Sequence, residues 1–332
     1  MVRITYDQLR AACQAILERR GMVPGASSAC AALFADATRD GVLTHGVNRF
    51  PVFVGQIDLG DVQVDAEPVL VSALGAFERW DGQSGVGNLN AARCMGRAIE
   101  LARTGGLGAV ALRNTNHWMR GGAYGLQAAE ANCIGICWTN ALAAMPAWGG
   151  LDSKLGTNPL IMALPGDPPV LVDMSMSQFS YGKLEEYRLK GQKLPVAGGY
   201  DGAGLLTDAP EAIEATRRTL PIGYWKGSAL SMALDMIAAA LSGGNSVVDL
   251  TSKYPRETGV SQVFIAFAMD RLGQDGAWEQ TVARIKEDIR QSLPAGTGAV
   301  RIPGERAAAT RAAADRDGMD IDDRIWARVR EL

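Results

Sequence analysis

The sequence predicts a mixed α/β protein of the α+β type, with a helix-covered sheet in the middle of the chain and helical segments at both ends. Three observations support this fold class. Apolar residues recur at helical spacing before residue 60 and again after residue 277. Short β-like runs alternate with helical patterns between those regions, and clusters of Gly, Pro and Asn separate the runs. Such clusters are typical of turns between strands and helices.

The N-terminal region predicts three helices. Thr5 and Gln8 have the spacing of a capping box, in which two side chains satisfy free amides at a helix start. The predicted helices cover residues 5–21, 27–39 and 49–60, and a glycine fits the end of each one. If His45 lies on the first turn of the third helix, Arg49 is four residues further on and shares its face.

The middle of the chain predicts the sheet and the helices that cover it. β-like runs occur at residues 107–112, 134–139, 160–164, 170–173 and 260–269. Helical patterns occur at 90–103, 124–132, 183–190 and 228–241, and a glycine-rich excursion at 191–204 has the length of a functional or mobile loop. The C-terminal helices are predicted at 277–291, with Val282 and Ile285 facing inward, and at 307–316 and 323–330.

Length and composition limit the classes of function. The chain of 332 residues is longer than the size at which a single core stops growing, about 250 to 300 residues, so more than one domain is expected. A hydrophobic share of 47% and a charged share of 21% are those of a soluble globular protein. The net charge of -3 provides no basic surface for nucleic acid or for an anionic membrane, which favours a small-molecule partner.

The cysteines and the apolar runs bear on the location of the protein. Five dispersed cysteines without a CxxC pair predict small core residues in a reducing compartment. No signal peptide is expected, because no long apolar stretch follows the first residues. The longest apolar-rich run, 229–241, is shorter than the roughly 20 residues of a membrane span. We therefore expect a cytoplasmic protein that binds neither membrane nor nucleic acid.

Only two histidines occur, and each lies in a loop-like string that also carries an arginine. His45 precedes Arg49 by four residues, and His117 precedes Arg120 by three. An imidazole can exchange a proton near neutral pH, and a guanidinium can hold a carboxylate through two hydrogen bonds. This combination suits the reduction of a keto group in an anionic substrate, with Arg49 as the carboxylate anchor. A structural role, with the imidazole bonded to loop backbone, remains an alternative for His117.

A conventional dinucleotide fingerprint is not predicted. Residues 106–111 satisfy a loose GxGxxA string, but the string follows a predicted helix and enters a strand, the reverse of the order that the Rossmann fold requires. A plain helix-to-strand turn is the simpler interpretation. The sequence also lacks a Walker string, a zinc-binding spacing and a GxSxG nucleophile elbow, so no metal site is predicted.

Three further strings have polar residues that suit a ligand. Thr157 and Asn158 precede a predicted strand and are candidates to orient a substrate, although the same residues also form ordinary turns. Asp173 ends another strand and is a candidate acceptor for ribose hydroxyls. Trp225 and Lys226 precede an apolar helix, where the lysine could meet a phosphate or simply belong to the helix entry.

In this order, the strings at residues 44–51, 116–122 and 172–177 resemble the malate/L-lactate dehydrogenase family of nicotinamide oxidoreductases, which lack the Rossmann fold. The resemblance extends over essentially the whole chain and is greatest to reductases of a diketo sugar acid. It implies a mostly antiparallel mixed sheet flanked by helices in a nicotinamide-binding domain at 71–279. It also implies a helical substrate and dimerisation domain made by 1–70 with 280–332, and a homodimer with active sites between subunits.

The resemblance also implies roles for individual residues. His45 is the implied proton donor to the carbonyl oxygen, and NADH rather than NADPH is the expected cofactor. The implied cofactor contacts are Pro169, Val170, Leu171, Val172, Asp173, Met174, Ser175, Trp225, Lys226, Gly304, Glu305 and Arg306. Arg49 as substrate anchor and His117 as a second substrate-binding group are our own inferences from their chemistry and position.

Two groups of alternatives remain open from the sequence. Within the family, the substrate could be another 2-oxo acid or a cyclic imine, as in malate, lactate, ureidoglycolate or piperideine-carboxylate chemistry. From a different class, a sugar-acid lyase or a noncatalytic sugar-acid-binding protein could use the same arginine and histidine. Tight binding of NADH would argue against both members of that second group.

Overall fold

The computed structural model of the protein describes residues 1–272, 276–296 and 298–332. The helices are α1 (Tyr6–Glu18), α2 (Pro24–Arg39), α3 (Phe50–Asp58), α4 (Gly87–Gly105), α5 (Gly122–Glu130), α6 (Tyr181–Leu189), α7 (Pro210–Thr216), α8 (Trp225–Ser242), α9 (Val247–Lys253), α10 (Ala277–Arg290), α11 (Glu305–Asp317) and α12 (Asp323–Arg330). The strands are β1 (Val2–Ile4), β2 (Val69–Leu74), β3 (Phe77–Asp81), β4 (Leu107–Asn116), β5 (Cys133–Thr139), β6 (Ala143–Pro146), β7 (Ser153–Gly156), β8 (Leu160–Leu164), β9 (Val170–Met174), β10 (Gly199–Tyr200), β11 (Leu206–Thr207), β12 (Thr258–Ala268) and β13 (Met319–Ile321).

A seven-stranded sheet forms the centre of the molecule, with the strand order β2-β3-β4-β12-β5-β8-β9. Strands β3 and β4 pair in parallel, and the other neighbours in this sheet pair antiparallel. The predicted fold class is therefore confirmed: the protein is mixed α/β with a mostly antiparallel sheet. The long strand β12 lies in the middle of the sheet, between β4 and β5.

Helices cover both faces of the sheet because successive side chains of a strand point to opposite faces. On one face Phe264 of β12 packs in a buried cluster with residues of α4 and α5. On the other face Val263 of the same strand packs with Leu234 and Ala238 of α8. Each face therefore has its own apolar core, and α8 lies opposite α4 and α5.

A third core lies beside the sheet and is built from both ends of the chain. It joins Phe34 of α2 and Phe50 of α3, whose rings meet edge to face at 5.1 Å, to Ile321 and Val329 near the C-terminus. Strands β1 and β13 pair directly, with Ile4 opposite Met319. The two chain ends thus complete one helical region. The exact domain boundaries at residues 70 and 280 stay predictions.

Most predicted elements are confirmed, with small shifts in their bounds. The capping box at Thr5 is present, with hydrogen bonds in both directions between Thr5 and Gln8. Strand β8 and helix α12 coincide with the predicted 160–164 and 323–330. Helix α2 begins at Pro24, earlier than the predicted residue 27, because proline fits the first turn of a helix.

Three local expectations differ from the structure. The third helix begins at Phe50, so His45 does not lie on it: His45 ends a separate 3-10 turn, Leu43–His45, and Arg49 is the residue before the helix. Helix α10 spans the predicted region, but Ile285 is 53% exposed rather than inward, and Val282 is half-buried. The sequence patterns also did not predict the terminal strand pair or the short helices α7 and α9.

The five cysteines are buried and unpaired, as the sequence predicts. Burial raises the pKa of every one of their thiols, which keeps them protonated and unreactive. The cytoplasmic location stays a prediction.

Across residues 1–272, 276–296 and 298–332, no single helix is long and apolar enough to cross a bilayer. Helices α8 and α9 pass that test only as a pair, and they are bent by 81° relative to each other.

The GxGxxA string forms the turn between α4 and β4. Helix α4 ends at Gly105, Gly106 closes it in the left-handed conformation with φ of 84°, and the strand begins at Leu107. Gly108 lies against the helix, where an added Cβ would be 2.1 Å from the carbonyl oxygen of Ala98. The helix-to-strand interpretation is confirmed, and the string serves helix–strand packing.

Replacement of Gly108 by alanine should lower the free energy of unfolding by about 1–3 kcal/mol, because the new methyl group must push α4 away from β4. The matched control is Gly105→Ala, since a Cβ at Gly105 meets nothing within 4 Å. That control should be neutral or stabilise by about 0.4–1 kcal/mol. Urea unfolding followed by circular dichroism measures both variants, and equal stabilities would contradict the packing argument.

Candidate active site

The structure brings the two histidines together from distant parts of the chain. His45 ends the turn after α2, and His117 follows the last residue of β4. Their imidazole rings stack with centroids 5.7 Å apart and planes inclined by 16°. The two strings that the sequence analysis singled out therefore form one site, at the junction between the helical region and the sheet.

Short contacts hold the His45 turn against α2. The amide of Val47 donates to the hydroxyl of Thr38 at 2.9 Å, and Thr38 is itself anchored to the carbonyl oxygen of Phe34. The Nδ1 atom of His45 lies 3.2 Å from the hydroxyl oxygen of Thr44. The imidazole is therefore oriented by its immediate neighbour, while the turn that carries it is fixed to a buried helix.

The loop that carries His117 is held from both sides. The side-chain amide of Asn116 donates to the carbonyl oxygens of Asp61, Ser84 and Gly85. The amide of Met119, whose φ is 63°, donates to Nδ1 of His117 at 2.9 Å. In a neutral imidazole one nitrogen accepts and the other donates, so this bond places the proton of neutral His117 on Nε2. His117 thus has an N–H that the loop does not use.

Arg49 provides a free positive charge beside the imidazoles. Among the described residues its side chain forms no hydrogen bond and no ion pair, and its buried Nε has no partner. Burial lowers the pKa of His45 to about 4, with contributions from the charges of Arg49 and Arg120. Burial and Arg49 also lower the pKa of His117 well below its usual value. Both imidazoles are therefore neutral at pH 7, and the guanidinium lacks the anion that would balance it.

A second arginine, Arg120, is buried in a network of charges. Its Nη1 donates to the carboxylate of Asp40, which also accepts from Arg311 at 2.6 and 3.0 Å. The Nε of Arg120 has no hydrogen-bond partner and lies 4.0 Å from Asp173, too far for a hydrogen bond. Asp40 belongs to the end of α2 and Arg311 to α11, so this network joins the helical region to the His117 loop.

Asp173, predicted as a ribose acceptor, lies in β9, and its carboxylate contacts the start of α5. Its carboxylate accepts from the amide of Gly122 at 3.0 Å, a position that suits a negative charge at a helix N-terminus. Its side chain is 30% exposed. Burial raises the pKa of Asp173, while Arg120 and the Gly122 amide oppose that rise. Asp173 therefore connects strand β9 to the loop that carries His117.

The predicted cofactor segments meet at β9, the edge strand of the sheet. The amide of Leu171 donates to the carbonyl oxygen of Pro303 at 3.1 Å. Gly304, with φ of 100°, packs against the same strand, where an added Cβ would be 2.6 Å from the carbonyl oxygen of Pro169. Beyond the other end of β9, the amide of Ile222 donates to the carbonyl oxygen of Met176 at 2.8 Å. Segments 169–175, 221–226 and 303–305 are thus neighbours in space.

The side chains in these segments differ in how available they are to bind a ligand. Trp225 is 58% exposed at the start of α8, beside Trp148 and Lys226. Arg306 is exposed on the first turn of α11. Glu305 is engaged by the protein, since it accepts from Arg290 at 2.5 Å and from the amide of Ile302 at 2.9 Å. An exposed aromatic ring and a cation suit the ring systems and phosphates of a dinucleotide.

The predicted substrate residues Thr157 and Asn158 have different surroundings. Asn158 is fully buried, and its amide bonds to the backbone of Ala141 and to Ser231, so it has no free group for a substrate. Thr157 is half-buried, and its carbonyl oxygen accepts from Ser175 and from the amide of Met176. Thr157 therefore supports the segment that follows β9, whereas Asn158 joins the residues after β5 to α8.

The sequence analysis missed Glu257. Thr258 of β12 pairs with Asn116 of β4 in antiparallel register, and Glu257 directly precedes that pair. The charge of Arg49 acts on Glu257, while burial raises the pKa of its carboxyl group. Before the strand pairing is known, Arg256-Glu257 reads as an exposed charged turn, and no local pattern marks it.

This arrangement can bind an anion and transfer a proton. A substrate carboxylate bound by Arg49 would place the oxygen on the neighbouring carbon close to the imidazole pair. An imidazole could then act on that oxygen as a general acid. Protein side chains do not supply hydride, so a redox reaction at this site needs a bound cofactor. The neighbouring β9 edge carries the residues that suit one.

Comparisons with known proteins show the family to which this chain belongs. The malate/L-lactate dehydrogenase family matches residues 4–330. The chain is 49% identical to 2,3-diketo-L-gulonate reductase of Citrobacter koseri and 50% identical to the protein of that name from Escherichia coli O17:K52:H18, over the full length of both chains in each case.

Solved structures with the same fold have lower sequence identity. Malate dehydrogenase from Entamoeba histolytica superposes with a TM-score of 0.94 at 25% identity, over 99% of this chain and 96% of that one. Delta1-piperideine-2-carboxylate reductase from Pseudomonas syringae pvar. tomato gives a TM-score of 0.87 at 29% identity, over 100% and 99% of the two chains. The family match covers nearly the whole sequence and agrees with the architecture, so the chain belongs to the malate/L-lactate dehydrogenase family.

Proposed function

We propose that the protein is a 2,3-diketo-L-gulonate reductase, which reduces the C2 carbonyl of that acid to give 3-dehydro-L-gulonate with NADH as reductant. A dehydrogenase of this family uses a nicotinamide cofactor. The observation that carries the proposal is the unpaired guanidinium of Arg49 beside the stacked imidazoles of His45 and His117. The full-length relatives of that name supply the choice of substrate.

Arg49 holds the C1 carboxylate of the substrate in this proposal. Its guanidinium offers parallel N–H groups that match the two oxygens of a carboxylate, and no described residue occupies them. Fixing C1 restricts the position of C2, which is directly bonded to it. Orientation of this kind contributes more to the rate than acid catalysis alone.

His45 donates the proton to the C2 oxygen. In the empty site its pKa of about 4 leaves it neutral at pH 7, and the Arg49 charge contributes to that lowering. A substrate carboxylate would offset the Arg49 charge and raise the pKa of His45. Substrate binding therefore favours the protonated form that the reaction consumes. His117, with its free Nε2–H, is a donor to a second substrate oxygen.

The cofactor occupies the region around β9, in contact with Pro169–Ser175, Trp225, Lys226 and the turn at Gly304. When bound, the reduced nicotinamide supplies hydride to C2. Arg306 and Glu305 would contact it from the start of α11. NADH is favoured over NADPH because the carboxylate of Asp173 would repel a 2′-phosphate.

A second candidate is the reduction of another 2-oxo acid or of a cyclic imine. It is favoured by the structural likeness to proteins named malate dehydrogenase and piperideine-carboxylate reductase. Identity to those proteins is 25% and 29%, well below that to the relatives named for 2,3-diketo-L-gulonate. Family membership disfavours the lyase and the noncatalytic binding protein that the sequence alone left open.

The enzyme is proposed to act as a homodimer through the outer face of α8. This face exposes Leu230, Met232, Met236 and Ile237, with Met236 66% exposed. Asp235, the one charged residue between Gly227 and Ser242, points inward and bonds to Asn140. An uncharged apolar stripe of this kind fits a second copy of itself around a two-fold axis.

Incubation of the purified protein with NADH and 2,3-diketo-L-gulonate should cause loss of NADH absorbance, faster than with NADPH or with oxaloacetate, pyruvate or piperideine-2-carboxylate. His45→Ala should lower kcat by about a hundred- to ten-thousandfold, because the general acid is lost. The affinity for NADH, measured by fluorescence, should stay close to that of the wild type. Wild-type turnover in the variant would show that His45 is not the proton donor.

The two imidazoles provide a direct test of the electrostatic argument by NMR. Arg49→Gln should raise the pKa of both His45 and His117, because a positive charge that disfavours their protonation is removed. Arg93→Gln is the control, since Arg93 pairs with Glu67 at the surface and should leave both values unchanged. In the wild type, kcat for reduction should fall as the pH rises through the pKa of His45 in the substrate complex, because His45 then loses the proton that it donates. That pKa should lie above 4, its value in the empty site. Unchanged imidazole pKa values in Arg49→Gln would contradict this account.

Met236→Glu should convert the proposed dimer to a monomer, because each copy would bury an unpaired charge at the interface. Light scattering after size-exclusion chromatography measures the mass. Val23→Glu is the control, since Val23 is 62% exposed and lies outside the α8 face. A monomeric wild type, or a variant that stays dimeric, would rule out this interface.

A further inference from the structure

Helix α6 touches the turn that carries His45. Gly182, in the first turn of α6, lies so close to Thr44 that an added Cβ would be 2.6 Å from the Cγ2 atom of Thr44 and 2.8 Å from its Cβ atom. Alanine is generally the better helix former. The close approach to Thr44 therefore accounts for a glycine at this point of the helix.

The two residues in this contact come from different regions of the molecule. Thr44 follows α2 in the helical region, whereas Gly182 follows β9, the sheet edge proposed to bind the cofactor. The hydroxyl of Ser180 accepts from the amide of Lys183 at 3.3 Å and so caps the start of α6. Gly182 therefore lies in a capped helix turn and forms a fixed surface for Thr44.

This contact determines which way the hydroxyl group of Thr44 points. Threonine branches at Cβ, so placing its methyl group against Gly182 leaves the hydroxyl in a defined direction. That hydroxyl oxygen lies 3.2 Å from Nδ1 of His45. A hydroxyl can donate or accept, so the distance alone permits either partner to carry the proton.

The protonated form of His45 decides the direction of this hydrogen bond. A protonated imidazole has an N–H group on both nitrogens, so its Nδ1–H donates to the oxygen of Thr44. When Nε2 gives its proton to the substrate oxygen, the Nε2–H bond breaks, an O–H bond forms, and the electron pair of the broken bond stays on Nε2. The Nδ1–H group and its bond to Thr44 are unchanged by this step.

We propose that Thr44 is a positioning residue that keeps a proton on Nδ1 of His45, and that Gly182 holds Thr44 in the orientation that this requires. Nε2 is then the nitrogen of His45 that gains and loses a proton during the reaction. The two stacked imidazoles carry their protons on different nitrogens when neutral, Nδ1 in His45 and Nε2 in His117. This inference rests on the proposed function, since it concerns the same proton donor.

Nitrogen-15 NMR of the histidine-labelled protein tests the assignment. Both imidazoles are neutral at pH 7, and the chain has only two histidines, so the wild type should show one ring with Nδ1–H and one with Nε2–H. His45→Ala identifies which signals belong to His45. In Thr44→Val, which keeps the branched shape without the hydroxyl group, the His45 signals should shift towards the Nε2–H form while those of His117 stay unchanged. Thr44→Ser should retain Nδ1–H.

Kinetics in the same variants show whether the reaction depends on this proton. Thr44→Val should lower kcat for 2,3-diketo-L-gulonate by about 3- to 10-fold, the effect of one lost hydrogen bond, and change KM by less than about twofold. Thr44→Ser should recover most of that loss.

The role of Gly182 is tested separately. Gly182→Ala should resemble Thr44→Val in both the NMR spectrum and kcat, because the new methyl group displaces Thr44. Gly202→Ala is the matched control and should behave as the wild type, since a Cβ at Gly202, in the same segment between β9 and α8, meets nothing within 4 Å. Equal losses in these two variants would contradict the role of Gly182.

The NMR spectra separate this inference from the proposed function, because they are recorded without substrate. A wild-type spectrum with both protons on Nε2 would overturn the inference, as would a Thr44→Val variant with an unchanged His45 ring or an unchanged kcat. If the wild type reduces no 2-oxo acid, the proposed function fails, while the spectra still decide whether Thr44 keeps Nδ1 of His45 protonated.

Discussion

The carboxylate of Asp40 holds together the parts of the chain that form the site. It ends α2 and is bound by Arg120 from the His117 loop and by Arg311 from α11. Loss of one partner from a buried ion pair typically costs about 3–5 kcal/mol, because a charge is left without compensation in the interior. Through Arg120, which faces Asp173 at 4.0 Å, the same network reaches the edge strand proposed to bind the cofactor. The relative positions of the proposed substrate and cofactor sites therefore depend on one buried side chain.

The electrostatics of the empty site are set up for an anion. Two imidazoles are held neutral by burial and by nearby arginines, and the guanidinium of Arg49 has no partner among the described residues. Adding a carboxylate satisfies Arg49 and reduces the penalty for protonating the imidazoles. In the proposed reaction the energy of substrate binding is thereby coupled to proton availability, so that His45 holds the proton it is to donate when the substrate is present.

The sequence predicted features that arise from local spacing. The capping box of α1, the strand at 160–164 and the turn at Gly106 follow from patterns of a few residues. The position of His45 was less predictable from spacing. The amide of Val47 donates to the hydroxyl of Thr38, and this contact keeps the turn that carries His45 apart from α3. Glu257 could not be found at all, since only the long-range folding of the chain brings it within the influence of the Arg49 charge. The occurrence of a histidine and an arginine in each of two strings predicted the imidazole site, whereas cross-strand register had to come from the structure.

The pairing of β1 with β13 has a consequence for how the protein is made. Residues near position 4 leave the ribosome long before their partners near position 319 are translated. During that interval α1 to α3 lack Ile321 and Val329, which complete their core. Contacts so distant along the chain form slowly and leave apolar surface open in the meantime. The helical region should accordingly be the last to consolidate on the nascent chain, and the first to depend on chaperones.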